Sequence, residues 1–239
     1  MAQKKLIRFN RIRSFPNTLE NPENMPGKWA SHFGNDQPIT LELACGRGEY
    51  TLGLAAMHPN KNFIGVDLKG NRIYIGAKYA MEKELGNTAF LRTFIENIAQ
   101  FFAAGEVEEI WITFPDPQLR TSKAKKRLTH PRFLRAYQKI LVAGGRINLK
   151  TDSPALYDFT KLVMERYGAT LHTDYNDVYK QSNAPELYIK THYENLDIAK
   201  SSKIFFLSFS LPEDIPDHDA ALYAYLKETE PNEETTRRG

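Results

Sequence analysis

The chain has 239 residues, of which 41% are hydrophobic, so it can form one buried core but hardly two. Its single cysteine, Cys45, excludes an internal disulfide, and no apolar run approaches the roughly 20 residues that cross a bilayer. The basic N-terminus lacks the apolar segment of a secretory signal, so we expect a soluble, cytoplasmic protein that does not bind membranes.

Charge is distributed unevenly, although the formal net charge is only +3. The first thirteen residues contain five Lys or Arg and no acid, whereas residues 211–239 contain eight acids and three bases. Between Asp116 and Asp152 there are ten Lys and Arg and no acid. Such basic segments are typical of a surface that binds a polyanion, although a solvated loop can have the same composition.

The ends of the chain set the predicted domain boundaries. Residues 1–36 combine a basic start with three prolines and several asparagines, a composition typical of a flexible arm or of plain disorder. The first apolar strand begins only after this stretch. We predict a basic flexible arm over 1–36, a single domain over 37–211 and an acidic tail over 212–239.

The first predicted strand, 39–43, runs into a small-residue turn and then a helix. The turn has the pattern acid-x-small-x-Gly-x-Gly, from Glu42 to Gly46 and Gly48. Glycines there let a ligand approach the backbone, and the helix N-terminus offers free N–H groups. The dinucleotide fingerprint is not met, because Thr51 takes its last glycine position. The turn resembles the glycine loop of S-adenosylmethionine-dependent methyltransferases, although tight packing alone can also require glycines.

Polar residues follow the next two predicted strands, 62–67 and 89–93. Asp67 ends the first of them, where an acid in an α/β nucleotide site accepts from both ribose hydroxyls. Asn97 follows the second, and its amide can both donate to and accept from an adenine edge. Helix capping is the alternative for both residues.

The fourth predicted strand ends in a rigid corner that holds one carboxylate. Residues 110–112 are apolar and favour β-structure, whereas Pro115 and Pro117 cannot donate to a ladder. Each proline also forces the residue before it into an extended conformation. Asp116 therefore lies just beyond the end of a strand, where ligands bind in an open α/β sheet.

Alternating elements continue to the end of the domain, and this alternation predicts an α/β fold with a mostly parallel sheet and helices on both faces. The later elements are a helix from about Pro131, a strand over 146–149, a helix capped by Ser153 and strands over 169–173 and 204–209.

Five motifs, taken in order, resemble those of bacterial tRNA (guanine-N7)-methyltransferases. They are LELACGRGEY, NFIGVDLK, ITFPDP with the basic run after it, GGRINLKTD and THYE, and the resemblance covers roughly residues 38–210. It implies a Rossmann-like methyltransferase fold with a seven-stranded sheet, S-adenosylmethionine as cofactor, tRNA as partner and no metal. The implied reaction is methylation of guanine N7, in the variable loop of tRNA.

The resemblance also assigns roles to residues. The cofactor side comprises Glu42, Gly46, Gly48, Asp67, Asn97 and Asp116, and the substrate side comprises Arg120, Asp152, Thr191, His192, Tyr193 and Glu194. Asp116 occupies the position discussed as catalytic. Guanine N7 has a lone pair and no proton, so we expect Asp116 to position the base rather than to abstract a proton.

The chain departs from the family right after FPDP, where a tryptophan and a Lys- and His-rich cluster are usual. Gln118 and Leu119 stand there instead, which removes a ring that can stack on a base. Two other functions stay open: a methyltransferase acting on another RNA or on a protein, and a non-catalytic RNA-binding module. The sequence favours neither a monomer nor a homodimer.

Overall fold

The computed structural model describes residues 11–195 and 203–229 of the protein. These residues form an α/β fold on one sheet of eight strands. The strands are β1 (Thr18–Glu20), β2 (Ile39–Leu43), β3 (Asn62–Asp67), β4 (Thr88–Arg92), β5 (Val107–Thr113), β6 (Leu141–Thr151), β7 (Thr170–Tyr175) and β8 (Phe205–Ser210).

The order of the strands across the sheet is β1-β4-β3-β2-β5-β6-β8-β7. All pairs among β1 to β6 are parallel, and β8 is antiparallel to both of its neighbours. After the edge strand β1, the chain passes to β2 near the middle, moves outward through β3 to β4 and then returns to β5 on the other side of β2. Ligands bind at such a switch point in open α/β sheets. The predicted α/β fold with a mostly parallel sheet is confirmed.

Helices cover both faces of the sheet. The α-helices are α1 (Trp29–Phe33), α2 (Glu49–Met57), α3 (Gly70–Glu82), α4 (Pro131–Gln138), α5 (Pro154–Tyr167), α6 (Val178–Gln181), α7 (His192–Asn195) and α8 (Asp219–Thr229). Short 3₁₀ helices lie at Ile12–Ser14, Ile95–Gln100, Thr121–Lys126 and Pro185–Tyr188. Buried side chains of α1, α4, α5 and α8 form one core with one face of the sheet, and those of α2 and α3 belong to the clusters on the other face.

Residues 11–36, which we predicted as part of a flexible arm, contain β1, α1 and a short 3₁₀ helix. β1 pairs with β4 and adds an eighth strand to the seven that we predicted. Trp29 is fully buried: its indole Nε1 donates to the carbonyl of Phe101 at 2.8 Å, and its ring stacks on Phe102. A three-residue strand and a lone tryptophan have no periodicity that a sequence pattern could show. Residues 1–10 lie outside the described part.

The predicted acidic tail also begins as ordered structure. Leu222 and Leu226 lie one helical turn apart on α8 and are buried. Both oxygens of Asp219 accept from the guanidinium of Arg135, at 2.9 and 3.0 Å, which ties α8 to α4. Residues 230–239 lie outside the described part. None of the described helices is both long and apolar enough to cross a membrane.

The carboxylate of Glu42 joins three elements at the centre of the sheet. Its Oε2 accepts from the backbone N–H and the hydroxyl of Thr51 on α2, at 2.7 and 2.6 Å, and its Oε1 accepts from the hydroxyl of Thr113 on β5, at 2.9 Å. Glu42 is only 3% exposed. Burial raises its pKa to about 7, and the hydrogen bonds from Thr51 and Thr113 oppose this shift.

Because the pKa of Glu42 is raised, the free energy of unfolding should fall as pH rises. The ordinary value is 4.5, so between pH 4.5 and about 7 the folded protein binds the proton that the unfolded chain releases. The free energy of unfolding should therefore decrease by about 3 kcal/mol across this window. Glu42→Gln should remove the decrease, because an amide can still accept from Thr51 and can donate to Thr113.

Urea unfolding at pH 5 and pH 8 measures the effect. Glu82→Gln is the control, because Glu82 is an exposed acid on α3. An unchanged pH dependence in Glu42→Gln would show that Glu42 is ionised throughout.

Candidate active site

A cavity of about 1030 Å³ opens at the carboxyl ends of the five central parallel strands. Each strand contributes residues at or just beyond its end: 44–47 after β2, 67–69 after β3, 93–96 after β4, 113–117 after β5 and 152–153 after β6. Thr191 and His192 line it from the connection before β8. The cavity thus lies at the switch point of the sheet.

The two strands at the switch point both end in a strained residue. Ala44 after β2 has φ +57° and Phe114 after β5 has φ +46°, in the left-handed region that favours glycine. The extended conformation that we predicted for the residue before Pro115 is therefore wrong. Left-handed conformations cost of order 1–3 kcal/mol each and persist where the surroundings impose them. The backbone N–H of Phe114, for instance, donates to the carbonyl of Lys150 at 2.8 Å. These sharp turns direct the following residues into the cavity.

The two predicted loop glycines have different roles. Gly46 has φ +58°, lines the cavity and has open space where a Cβ would lie. Gly48 has φ +74°, but a Cβ there would lie 2.5 Å from the ring of Phe90, and Gly48 does not line the cavity. Gly46 therefore leaves room for a ligand, whereas Gly48 permits close packing between α2 and the sheet.

Asp67 lies at the predicted position and also supports the glycine loop. Its Oδ2 accepts from the N–H of Gly46 at 2.9 Å, and its Oδ1 accepts from the N–H of Lys69 at 2.8 Å. Because each carboxylate oxygen has two lone pairs, both can accept another hydrogen bond from a ligand. Asp67 is therefore suited to bind two neighbouring hydroxyls, as on a ribose.

Three residues that line the cavity were missed by the sequence analysis. Leu68 and Phe94 are exposed apolar side chains directly after Asp67 and Thr93. Thr93 is buried, and its hydroxyl has no hydrogen-bond partner in the described part of the chain. Apolar surfaces beside an unsatisfied hydroxyl fit a flat, polar-edged base. Leu68 and Phe94 could have been predicted from the sequence, because each is an apolar residue directly after a polar residue at the end of a strand.

Asn97 is placed differently from the prediction. It is exposed on the 3₁₀ helix Ile95–Gln100 and does not line the cavity, whereas Ile95 and Glu96 do. Its backbone N–H bonds the carbonyl of Phe94, which closes the first turn of this helix. On this side the cavity is lined by residues 93–96 instead.

Asp116 is exposed on the cavity wall. Its Oδ1 accepts from the N–H of Gln118 at 3.0 Å, and Gln118 has φ +48°. This bond fixes the carboxylate while Oδ2 makes no hydrogen bond to the described residues. Leu119 also lines the cavity and is 60% exposed, so an aliphatic side chain lies next to the position of the family's usual tryptophan.

The predicted substrate residues divide into two groups. Asp152, Thr191 and His192 line the cavity, whereas Arg120 is exposed and does not. Glu194 does not line it either: its Oε2 lies 3.1 Å from the ammonium of Lys150, and both side chains are buried. The side chain of Tyr193 lies outside the described part. Among the described residues we find no cluster of His, Cys, Asp and Glu that could hold a metal ion.

The basic run after FPDP also has two kinds of residue. Lys123, Lys125 and Lys126 are exposed, and Lys126 lines the cavity. Arg127 is buried, and it donates to the carbonyls of Gln118 and Leu119, both at 3.2 Å. Arg127 therefore holds the FPDP corner in place, whereas the exposed lysines can face a polyanion.

Comparison with known sequences identifies the family. A family described as "Putative methyltransferase" matches residues 36–207. A tRNA (guanine-N(7)-)-methyltransferase of Porphyromonas gingivalis is 50% identical over 190 residues, which cover 78% of this chain and 77% of that protein. Another, of Bacteroides thetaiotaomicron, is 45% identical over 224 residues, which cover 90% and 88%.

Comparison with solved structures agrees on the fold. The 16S rRNA (adenine(1408)-N(1))-methyltransferase from Catenulisporales acidiphilia superposes with a TM-score of 0.57 at 14% identity, covering 82% of this chain and 96% of that one. At this identity the likeness shows the Rossmann-like methyltransferase fold and not the substrate. With the sequence relatives, it shows that this chain belongs to the tRNA (guanine-N7)-methyltransferase family.

Proposed function

We propose that the protein transfers the methyl group of S-adenosylmethionine to N7 of a guanosine in tRNA. The observation that carries this proposal is the placement of Asp116, fixed by two prolines and a backbone hydrogen bond, on the wall of the cavity at the switch point. When bound, the cofactor supplies an electrophilic methyl group. Guanine N7 has an in-plane lone pair and no proton, so no general base is required.

On the cofactor side, residues of the chain bind and orient. Asp67 accepts from the ribose hydroxyls, and the open backbone at Gly46 leaves room for the amino-acid portion. Leu68 and Phe94 provide apolar surface for the adenine, and the unpaired hydroxyl of Thr93 is available to its edge. Glu42 lines the cavity but is only 3% exposed and is held by Thr51 and Thr113, so it acts by fixing the strand ends.

On the substrate side, Asp116 orients the base. An ionised carboxylate only accepts hydrogen bonds, which matches the two donors of the guanine edge, N1–H and the exocyclic amine. Its negative charge also offsets the positive charge that develops on the ring. Asp116 thus acts by positioning and electrostatics.

The partner is tRNA, and Lys123, Lys125 and Lys126 bind its phosphates. Because Lys126 lines the cavity, the phosphate backbone of a tRNA held by these lysines lies close to the base that enters the cavity. The family resemblance supports a guanosine of the variable loop as the target and the cytoplasm as the place of reaction.

Incubation with bulk tRNA and methyl-labelled cofactor, followed by nucleoside analysis, tests the function. We expect label in 7-methylguanosine, and its loss when the tRNA is first digested with nuclease. Label in another nucleoside or in protein would contradict the proposal and indicate another acceptor.

Asp67→Ala should weaken cofactor binding. Loss of hydrogen bonds to a charged acceptor costs about 1.5–3 kcal/mol, or roughly ten- to 150-fold in Kd. Glu106→Ala is the matched control, because Glu106 also accepts from backbone N–H groups, those of Gly27 and Ala103, but lies outside the cavity. Calorimetry that finds equal cofactor affinity in Asp67→Ala and the control would remove the ribose assignment.

The triple substitution of Lys123, Lys125 and Lys126 by Gln should flatten the salt dependence of tRNA binding. Three phosphate contacts contribute about 2–3 units of log–log slope, at ~0.7–0.9 each. The control replaces Lys28, Lys61 and Lys139, which lie near the amino ends of β5, β3 and β6. Equal slopes in both triple variants would mean that the basic run is a solvated loop.

Asp116→Asn should lower the rate of methyl transfer while the fold is kept, because Asn can still accept from the N–H of Gln118. The amide presents donors to the donors of guanine, so the barrier should rise by about 2–4 kcal/mol. Single-turnover methylation at saturating cofactor and tRNA, across pH, measures this, with Asp158→Asn on α5 as control. Wild-type rates in Asp116→Asn would exclude a catalytic role.

A further inference from the structure

Lys150 is a fully buried lysine near the end of β6 that the proposed reaction does not use. Its side chain is 0% exposed. The ammonium donates to the carbonyls of Leu187 and Ile189, at 2.8 and 3.2 Å, and to Oε2 of Glu194, at 3.1 Å. All three N–H bonds of Lys150 are therefore directed at one segment of the chain, 187–194.

Stability alone does not account for this arrangement. The ammonium is also surrounded by the rings of Tyr50, Phe114 and Tyr179, with centroids 5.3 to 5.6 Å away. The hydroxyl of Tyr179 donates to Glu194, whose carboxylate is thus shared between two donors. Apolar replacements of both Lys150 and Glu194 would fill the space without the desolvation cost, and buried ion pairs are often no more stable than such replacements.

The contacts of Lys150 connect three sides of the cavity. Its carbonyl accepts from the N–H of Phe114, the strained residue that precedes the FPDP corner. Two residues later, Asp152 lines the cavity. Through Glu194, whose N–H donates to the hydroxyl of Thr191 at 3.1 Å, Lys150 is linked to the third side, where Thr191 lines the cavity next to His192.

We propose that Lys150 is a positioning residue, whose ammonium holds segment 187–194 against the strand ends so that Thr191 and His192 face the guanosine that enters beside Asp116. Glu194 then acts on the substrate side indirectly, as the partner of Lys150. This inference rests on the proposed function, since it concerns the same cavity.

Lys150→Met tests it, because methionine keeps the length and apolar stem and removes the three donors. Misplacement of a substrate-orienting segment by about 1 Å costs roughly a hundredfold in rate, so kcat/KM for tRNA should fall by about that factor. Cofactor affinity should change little, because Asp67 and Gly46 are untouched. Backbone amides of 187–194 should exchange hydrogen faster.

The double variant Lys150→Met/Glu194→Gln separates positioning from stability. The single variant leaves the buried Glu194 carboxylate without its partner, which destabilises the fold. The second substitution removes that charge, so the unfolding free energy should recover while kcat/KM for tRNA stays low. Activity that recovers together with stability would overturn the proposal and give Lys150 a purely structural role.

Lys161→Met is the matched control. Lys161 also pairs with a carboxylate, that of Asp174 at 2.6 Å, and lies over a ring, that of Tyr157 at 5.2 Å, but it is outside the cavity. It should leave kcat/KM and exchange of 187–194 unchanged. If wild-type protein does not methylate tRNA, the proposed function fails, and the exchange measurement still tests Lys150: unaltered exchange in Lys150→Met would overturn its role.

Discussion

The geometry of the cavity depends on one buried carboxylate, that of Glu42. Glu42 receives three hydrogen bonds from Thr51 on α2 and Thr113 on β5, so it fixes the two strands of the switch point and the helix that starts beside them. A buried carboxylate is costly when ionised, which is why its pKa is raised to about 7. In return, the carboxylate fixes β2, α2 and β5 in one geometry, and the turns that follow the two strands hold Gly46 and Asp116.

Around Glu42, the conformation of the backbone determines much of the shape of the cavity. Ala44 and Phe114 hold left-handed conformations at the ends of neighbouring strands, and prolines flank Asp116. The buried Arg127 donates to the carbonyls of Gln118 and Leu119 and so holds the FPDP corner in place. Loops held in this way lose little conformational entropy of their own when the substrate binds, and alignment is most of what this reaction requires.

The sequence predicted the central elements and the residues that follow them, because buried parallel strands are continuous apolar runs and ligands bind at their ends. Asp67, Asp116 and Gly46 were predicted in this way, and all three line the cavity. It could not predict β1 or the burial of Trp29, which depend on contacts with residues about 70 positions later in the chain. Nor could it separate Arg127 from the exposed lysines beside it, because burial is decided by the neighbours in space.

The difference between buried and exposed side chains also explains where the carboxylate of Glu194 lies. By motif it belongs to the substrate side, yet its carboxylate points to Lys150 and to the hydroxyl of Tyr179 rather than into the cavity. Asp116 already lines the cavity where the target base enters, so the reaction does not need a second carboxylate there. Instead, the buried carboxylate of Glu194 pairs with Lys150, and the backbone N–H of Glu194 donates to the hydroxyl of Thr191, which lines the cavity. A motif residue can therefore serve the substrate through a buried ion pair, with no contact of its own.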